Sequence, residues 1–450
     1  MASTYLQRST TTRTNNQAYT FSCWFKRSDL VSGRLCINYL DGNNRGYISI
    51  QNDNKMFCYD KVGGTEIDSR TSNFQLRDVN GWYHYVQSVN NLAGGSGGSL
   101  SDRFKTYLNG VDVSEYWTMG TSMGYNVNLG MQVVSGTNGF KIGSQEGGTD
   151  NWNGSMSYVV FVDGLQLPAS DFGSVDSVTG EWKISTSPTV SNYGNNGFLI
   201  LKNSNSLTDQ SGKGNNFSLG GGTLTATKDC ASNVLATLNK LETNSTPTLA
   251  NGNLVIQNNN ASWRMGYSTI ATPLTGKFYA EGKMISNTST WFIRFGIQEV
   301  EQLTNRASNF ALYGGTTQSW AYLNSGQKIN SNSSSSYGDA IETGDIVGIA
   351  IDCTNNKLYF SNNGVWQNSG NPASGSTGTG AISITANKNY FLGGGVYSGF
   401  LGMNFGNGFF GTTAITTNSG NGYAGAEGAS KFNYAVPSGY SALNTKGLNQ

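Results

Sequence analysis

Charge is scarce in this sequence. Lys, Arg, Asp and Glu make up 12% of its 450 residues and nearly cancel, at a net charge of +1. The charged share is about half that of an ordinary globular chain. This excludes a nucleic-acid binder working through a dense positive face, and it excludes an acidic tail. Histidine occurs once, so any Ser-His-Asp or Cys-His scheme would have to run through His84. That residue alternates with Trp82 and Val86 along a strand-like run, as a sheet or core histidine does. Good helix formers are sparse and no stretch holds a helical apolar period for several turns. No run of about 18 apolar residues occurs, so no membrane insertion is expected. The opening Met1-Ala2-Ser3-Thr4-Tyr5 has neither the basic region nor the apolar core of a secretion signal. The five cysteines (Cys23, Cys36, Cys58, Cys230, Cys353) are spread out with no Cys-x-x-Cys pair. They are expected as reduced thiols in a protein folded in a reducing cytosol.

Glycine is abundant, at 60 residues against 6 prolines, and Gly, Ser, Thr and Asn together approach half the chain. Disordered chains can share that bias, but they are poor in aromatics, and here Phe, Trp and Tyr reach 12%. An all-β protein of short strands, polar turns and aromatic cores satisfies both facts.

The first candidate domain opens with Tyr19-Thr20-Phe21-Ser22-Cys23-Trp24-Phe25, which alternates aromatic and small residues. Strands are predicted at Arg34–Leu40, Gly46–Gln51 and Met56–Val62, then from Gly81-Trp82-Tyr83-His84-Tyr85-Val86. Arg103–Leu108 meets Asn109-Gly110, a strong two-residue hairpin signal. The run Trp152–Gly164 closes the set. Trp24, Trp82–Val86, Tyr107-Leu108-Asn109-Gly110 and Trp152–Gly164, in that order over about 145 residues, resemble the laminin-G-like (concanavalin A-like) jelly roll. The resemblance implies two packed antiparallel sheets and a glycan- or protein-binding role, in some members through calcium.

Residues 166–248 carry regular turn signals, including Asp209-Gln210-Ser211-Gly212-Lys213-Gly214-Asn215-Asn216. They are expected to add strands to the first sandwich and then cross over. This stretch, together with Met1–Leu6, resembles laminin-G-like proteins predicted from marine bacteriophage genomes.

The second candidate domain contains Lys277-Phe278-Tyr279-Ala280-Glu281-Gly282-Lys283, Trp291–Ile297, Gly344-Asp345-Ile346-Val347-Gly348 and Phe360-Ser361-Asn362-Asn363-Gly364. Val347, Ile349, Ile351 and Cys353 share one strand face, as do Leu358 and Phe360 on the next, with a type I′ turn at Asn363-Gly364. The ordered set resembles the SPRY domain, a second concanavalin A-like sandwich that mainly recognises partners through edge loops. Ser331–Tyr337 and Ser374–Gly380 are expected as such loops. The expected organisation is therefore all-β, two concanavalin A-like jelly-roll sandwiches in tandem. An N-terminal arm spans 1–17, the laminin-G-like sandwich 18–248, and the SPRY-like sandwich with a C-terminal extension 249–450.

Signals of chemistry are thin. Glu299 and Glu301 would share a face only if their strand continued, and Leu303 and Thr304 break the Glu-x-Asp-x-x-Glu arrangement of laminarinase-like enzymes. A solvated loop pair is the simpler reading, and no catalytic residues are assigned. Asp41, Asp53 and Asp150 could give oxygen ligands to a calcium ion, or simply form turns. No metal and no cofactor is assigned. Aromatic rings remain, because sugar rings stack on them. Tyr116, Trp117, Trp320 and Tyr322 are the candidate ligand-binding residues, with burial in the core or a subunit contact as the competing reading for Trp117 and Trp320.

The resemblances imply a non-enzymatic bacteriophage virion protein. It would be a compact tail-fibre-like or capsid-surface appendage binding a host-surface glycan and contacting other virion proteins, assembled in the bacterial cytoplasm. No heptads or β-helical repeats indicate a fibre shaft. A homo-oligomer, with a trimer as the guess, is expected. A purely structural decoration protein is the alternative, and a carbohydrate-active enzyme the least favoured.

Overall fold

The computed structural model describes residues 4–95, 98–137, 139–202, 206–241, 247–287, 293–304, 312–416 and 422–448. Strands account for 44% of the chain and helix for 7%, as two β-sandwiches require. The chain divides into two compact units, 1–226 and 227–450. The division precedes residue 248 because Leu235, Ala236 and Leu238 are already buried in the cores of the second unit.

In the first unit the strands are β1 (Tyr5–Arg8), β2 (Ala18–Arg27), β3 (Gly33–Asp41), β4 (Asn44–Ile50), β5 (Lys55–Val62), β6 (Thr65–Gln75), β7 (Tyr83–Asn90) and β8 (Phe104–Leu108). They continue as β9 (Val111–Asp112), β10 (Trp117–Thr121), β11 (Gly139–Ile142), β12 (Gly154–Asp163), β13 (Gly173–Val175), β14 (Trp182–Ile184), β15 (Phe198–Ile200) and β16 (Ser218–Gly221). One sheet has the order β10-β6-β5-β4-β3-β11-β1-β16 and the other β15-β12-β2-β7-β8-β9. Between them lie Phe21, Cys23 and Phe25 of β2, Ile48 and Ile50 of β4, Met56 and Cys58 of β5, and Phe140, Phe161 and Phe198. Burying each large side chain contributes roughly 1.5–3 kcal/mol.

Residues 1–17 are not a free arm. β1 lies inside the larger sheet, pairing with both β11 and β16, and Leu6 is buried in the core. The alternation of Leu6 with polar neighbours is short, which is why it does not read as a strand by pattern alone. The connecting region supplies β15 and β16 as edge strands. It also covers the outer face of the smaller sheet, where Ala169 and Phe172, with Leu165, Leu167 and Trp182, pack on Val86, Val160 and Val162. That cover explains why all ten residues of β2 are buried.

The second unit holds β17 (Thr248–Ala250), β18 (Val255–Asn258), β19 (Arg264–Tyr267), β20 (Lys277–Asn287), β21 (Ile293–Glu299), β22 (Ser319–Leu323), β23 (Gln327–Asn330), β24 (Ser333–Ser336), β25 (Ile346–Asp352), β26 (Lys357–Asn362), β27 (Val365–Trp366), β28 (Ile382–Ser383), β29 (Tyr390–Val396) and β30 (Gly399–Asn404). Its sheets run β17-β18-β30-β20-β25-β26-β27, with β28 and Ser441–Ala442 attached, and β19-β29-β21-β22-β23-β24. Val347, Ile349, Ile351, Leu358 and Phe360 meet in its core as their alternation requires. At both hairpin tips the pair has positive φ, 48° and 79° at Asn109 and Gly110 and 48° and 81° at Asn363 and Gly364. Ser333–Ser336, expected in a loop, is instead an exposed edge strand, while Tyr337 turns inward. Trp291 lies outside the described residues, as do Asn305, a turn-like residue after Glu301, and Asn244-Ser245-Thr246, an Asn-x-Ser/Thr triplet.

Candidate functional site

The two outer faces of the first sandwich differ. The six-stranded sheet is covered, whereas the eight-stranded sheet carries half-buried aromatic side chains on its outer face. β4 and β5 turn Ile48, Ile50, Met56 and Cys58 inward and leave Tyr47, Phe57 and Tyr59 outward. Tyr47 is in register with Tyr59, and Ser49 with Phe57. Cross-strand register therefore assembles the cluster. Tyr47 and Tyr59 stack at 5.1 Å and 22°, and Phe57 lies 5.9 Å from Tyr47 and 6.3 Å from Tyr59.

Arginines bracket these rings. The Arg34 guanidinium sits 3.5 Å over Tyr47, and that of Arg45 sits 5.7 Å over Tyr59. Such contacts are worth roughly 0.5–2 kcal/mol, depending on how dry they are. Arg34 is fixed further by an ion pair from Nε to Asp150 at 3.3 Å and by donating from Nη2 to Gln145 Oε1 at 2.9 Å. Asp150 also accepts from the Ser32 hydroxyl at 3.1 Å, and the Ser32 amide donates to Asn52 Oδ1 at 3.0 Å.

Arg34, Tyr47, Phe57, Asn52, Asp53 and Asp150 bound a groove of about 420 Å³, with Tyr59 packed behind Tyr47. A smaller hollow of about 70 Å³ adjoins it beside Tyr39, Arg45, Gln145 and Glu146. The Tyr39 phenol is held above its usual range by burial and then by Glu146. Burial, followed by Glu66, does the same to Tyr59. Both phenols therefore stay neutral donors at physiological pH. The groove combines an aromatic floor with amide, carboxylate, hydroxyl and guanidinium groups at its rim, the combination that holds a polar ligand with apolar faces.

The four rings proposed from sequence are not gathered there. Tyr116 is exposed, just ahead of the edge strand β10. Trp117 is buried, donates from Nε1 to Thr106 Oγ1 at 2.9 Å and packs edge-on against Phe74 and Phe104. Trp320 is buried against Tyr390. Tyr322 is fully buried, stacks on Phe360 at 5.6 Å and donates its hydroxyl to the Asp339 carbonyl. The rings of Trp117, Trp320 and Tyr322 are spent on the two cores, whereas that of Tyr116 is left exposed. The overlooked signal was the outward half of the alternation in β4 and β5, where polar residues are usual but Tyr47, Phe57 and Tyr59 stand.

The residues weighed for catalysis or metal are separated or locked. His84 is fully buried between Trp24 and Trp182, at 4.6 and 5.9 Å. Its Nδ1 accepts the Trp182 indole N–H at 2.9 Å and its Nε2 meets Ser22 Oγ at 2.9 Å. An indole only donates, so the neutral ring carries its proton on Nε2. Burial pushes the His84 pKa down to about 3. Glu299 ends β21 and is buried rather than solvated. Glu301 lies on the helix Val300–Thr304 and pairs with Lys388 at 2.6 Å, so the two do not share a strand face. Asp41 caps its own hairpin by accepting from the Asn43 amide, whereas Asp53 and Asp150 both line the groove. Among the described residues, no three His, Cys, Asp or Glu side chains gather as a metal-ligand set.

Residues 1–167 match the family described as the concanavalin A-like lectin/glucanases superfamily, and residues 253–381 match the SPRY domain. Curated proteins yield no match. Among solved structures, a human SPRY domain is similar at 15% identity and a TM-score of 0.27, covering 34% of this chain and 92% of that one. The SPRY domain of human HERC1 is similar at 12% identity and a TM-score of 0.27, covering 35% and 91%. A stonustoxin structure is similar at 17% identity and 0.27, covering 38% and 27%. The chain thus carries a concanavalin A-like domain in its first half and a SPRY domain in its second.

Proposed function

We propose that this is a non-catalytic binding protein that holds a polysaccharide across the groove on the eight-stranded sheet of its first sandwich. The observation carrying this reading is the outward cluster of Tyr47, Phe57 and Tyr59 with Arg34, Asn52 and Asp150 at its rim. An open sheet face normally bears polar side chains in water. Half-buried outward rings beside fixed hydrogen-bonding groups suit a ligand with apolar faces and many hydroxyls. The neutral, enclosed His84 and the separation of Glu299 from Glu301 support binding without catalysis.

The setting we propose is a bacteriophage virion, in which the protein serves as a compact tail-fibre-like or capsid-surface adhesin for a host glycan. This rests on the resemblance of residues 166–248 and Met1–Leu6 to laminin-G-like proteins of marine phage genomes. A homo-oligomer, taken as a trimer, follows from the appendage role, since avidity multiplies weak single-site binding.

The test is binding of purified protein to intact candidate host bacteria and to their extracted surface polysaccharides, alongside binding to purified capsids and tails. Saturable binding to cells and polysaccharide, reduced in Phe57→Ala, supports the adhesin. Tight association with particles and none with polysaccharide would replace it with a decoration role.

A further inference from the structure

The second unit encloses the carboxylate of Glu281, and no ion pair reaches it among the described residues. Glu281 lies on β20, fully buried, on the face turned away from the main core. Its Oε2 accepts the Asn433 amide at 2.8 Å and Asn404 Nδ2 at 3.1 Å. Its Oε1 accepts the Tyr434 amide at 2.8 Å and the Tyr279 hydroxyl at 3.2 Å. Two of the four donors are backbone N–H groups of the C-terminal segment, which covers the outer face of the nine-stranded sheet. Phe432 and Tyr440 of that segment pack there on Tyr279 and Tyr359, with Phe432 edge-on to Tyr279 at 4.9 Å. Around residues 431–434, backbone pairing among the described residues adds the isolated bridges Asn407 to Lys431 and Tyr423 to Phe432, and farther along Ser441–Ala442 pairs with β20.

The titratable and charged groups on the surrounding elements are few. β20 carries Tyr279 and Lys283, β26 carries Tyr359 and, at its far end, Lys357, the covering segment carries Tyr423, Glu427, Lys431, Tyr434 and Tyr440, and Asp345 precedes β25. Lys283 Nζ lies over the Phe410 ring at 5.9 Å, and at the far end of β20 Lys277 pairs with Asp352 at 3.5 Å. No ion pair reaches Glu281 among the described residues. Every group holding it is neutral.

We propose that Glu281 is a proton-linked clasp, fixing the segment 431–434 to the sheet more firmly as the pH falls below neutrality. A buried carboxylate without a cation remains costly even when hydrogen-bonded. Its acid form sheds that cost and keeps its contacts, because the Tyr279 hydroxyl can turn from donor to acceptor. Consistent with this, burial raises the Glu281 pKa from 4.5 to about 7 against the opposing effect of its hydrogen bonds. When the segment lifts, water reaches the carboxyl and the ordinary value returns. Between those two values the closed form holds a proton that the open form lacks, so closure weakens as pH rises through that window and changes no further above it.

Hydrogen exchange of the full chain, read by mass spectrometry at about pH 5.5 and about pH 8 and corrected for intrinsic rates, tests this, and protection of residues 431–434 should fall by more than about tenfold. Glu281→Gln should abolish the pH difference. Should that variant fail to fold, Asn404→Ala removes a donor to the carboxylate and should move the transition to higher pH. Equal protection at both pH values, an unchanged difference in Glu281→Gln, or an unmoved transition in Asn404→Ala overturns the proposal.

Discussion

His84 sits where a proton is costly. Both ring nitrogens are engaged in a dry aromatic stack, and its pKa falls from 6.5 to about 3. The unfolded chain takes up this proton near 6.5, but the folded chain resists until about 3. The contribution is complete above 6.5 and is lost progressively as pH falls through the window. Urea titrations of the first unit should show stability dropping from neutral pH toward pH 3, with a shallower drop in His84→Leu; parallel slopes would contradict this assignment. At the same scale, Tyr116 and Trp117 are adjacent but opposite in consequence. Trp117→Ala should destabilise by roughly 3–5 kcal/mol, as core aromatic truncations do. Tyr116→Ala should stay within about 0.5 kcal/mol, as exposed positions do. Equal losses in thermal unfolding would mean that the burial is misassigned.

Among elements, β1 and the Asn109-Gly110 hairpin carry the clearest consequences. β1 joins β11 to β16 across the larger sheet, so deleting residues 1–8 should leave β16 without its partner, free one edge of β11 and lower the first unit's melting temperature while sparing the second. Gly110 has φ +79°, and a Cβ there would lie 2.2 Å from the Trp182 ring. Gly110→Ala should cost more than about 1 kcal/mol, through both strain and collision with the cover.

The readability of these elements differed for physical reasons. Strands with an apolar face and a turn residue at each end, such as Lys357–Asn362 between Asn355-Asn356 and Asn363-Gly364, announce themselves through period and turn chemistry. β1 is four residues with one buried side chain, too short for a pattern. The cover formed by residues 165–193 has no sustained period, because apart from the short pair β13 and β14 it follows the contour of the sheet it covers. The site was hidden for a related reason. Core aromatics and outward-facing aromatics look alike in a sequence, and only register revealed that Tyr47 and Tyr59 share an outward face whereas Trp320 and Tyr322 are buried in the core.

For the molecule as a whole, two sandwiches with separate cores should unfold as separate units, and calorimetry should resolve two transitions whose pH responses differ. The first carries His84 and weakens toward acid, whereas the second carries Glu281 and firms toward acid. The proposed appendage role adds a stable oligomer, and sedimentation showing only monomer at micromolar concentration would remove that part. The central claim is that the groove over Tyr47 and Phe57 holds a polysaccharide. Its most direct test is calorimetric titration of the full chain with extracted host polysaccharide, comparing wild type, Phe57→Ala and Tyr116→Ala. The account predicts at least about tenfold weaker binding for Phe57→Ala, equivalent to about 1.4 kcal/mol, and unchanged binding for Tyr116→Ala. Undiminished binding in Phe57→Ala, or loss only in Tyr116→Ala, would place the ligand away from this groove.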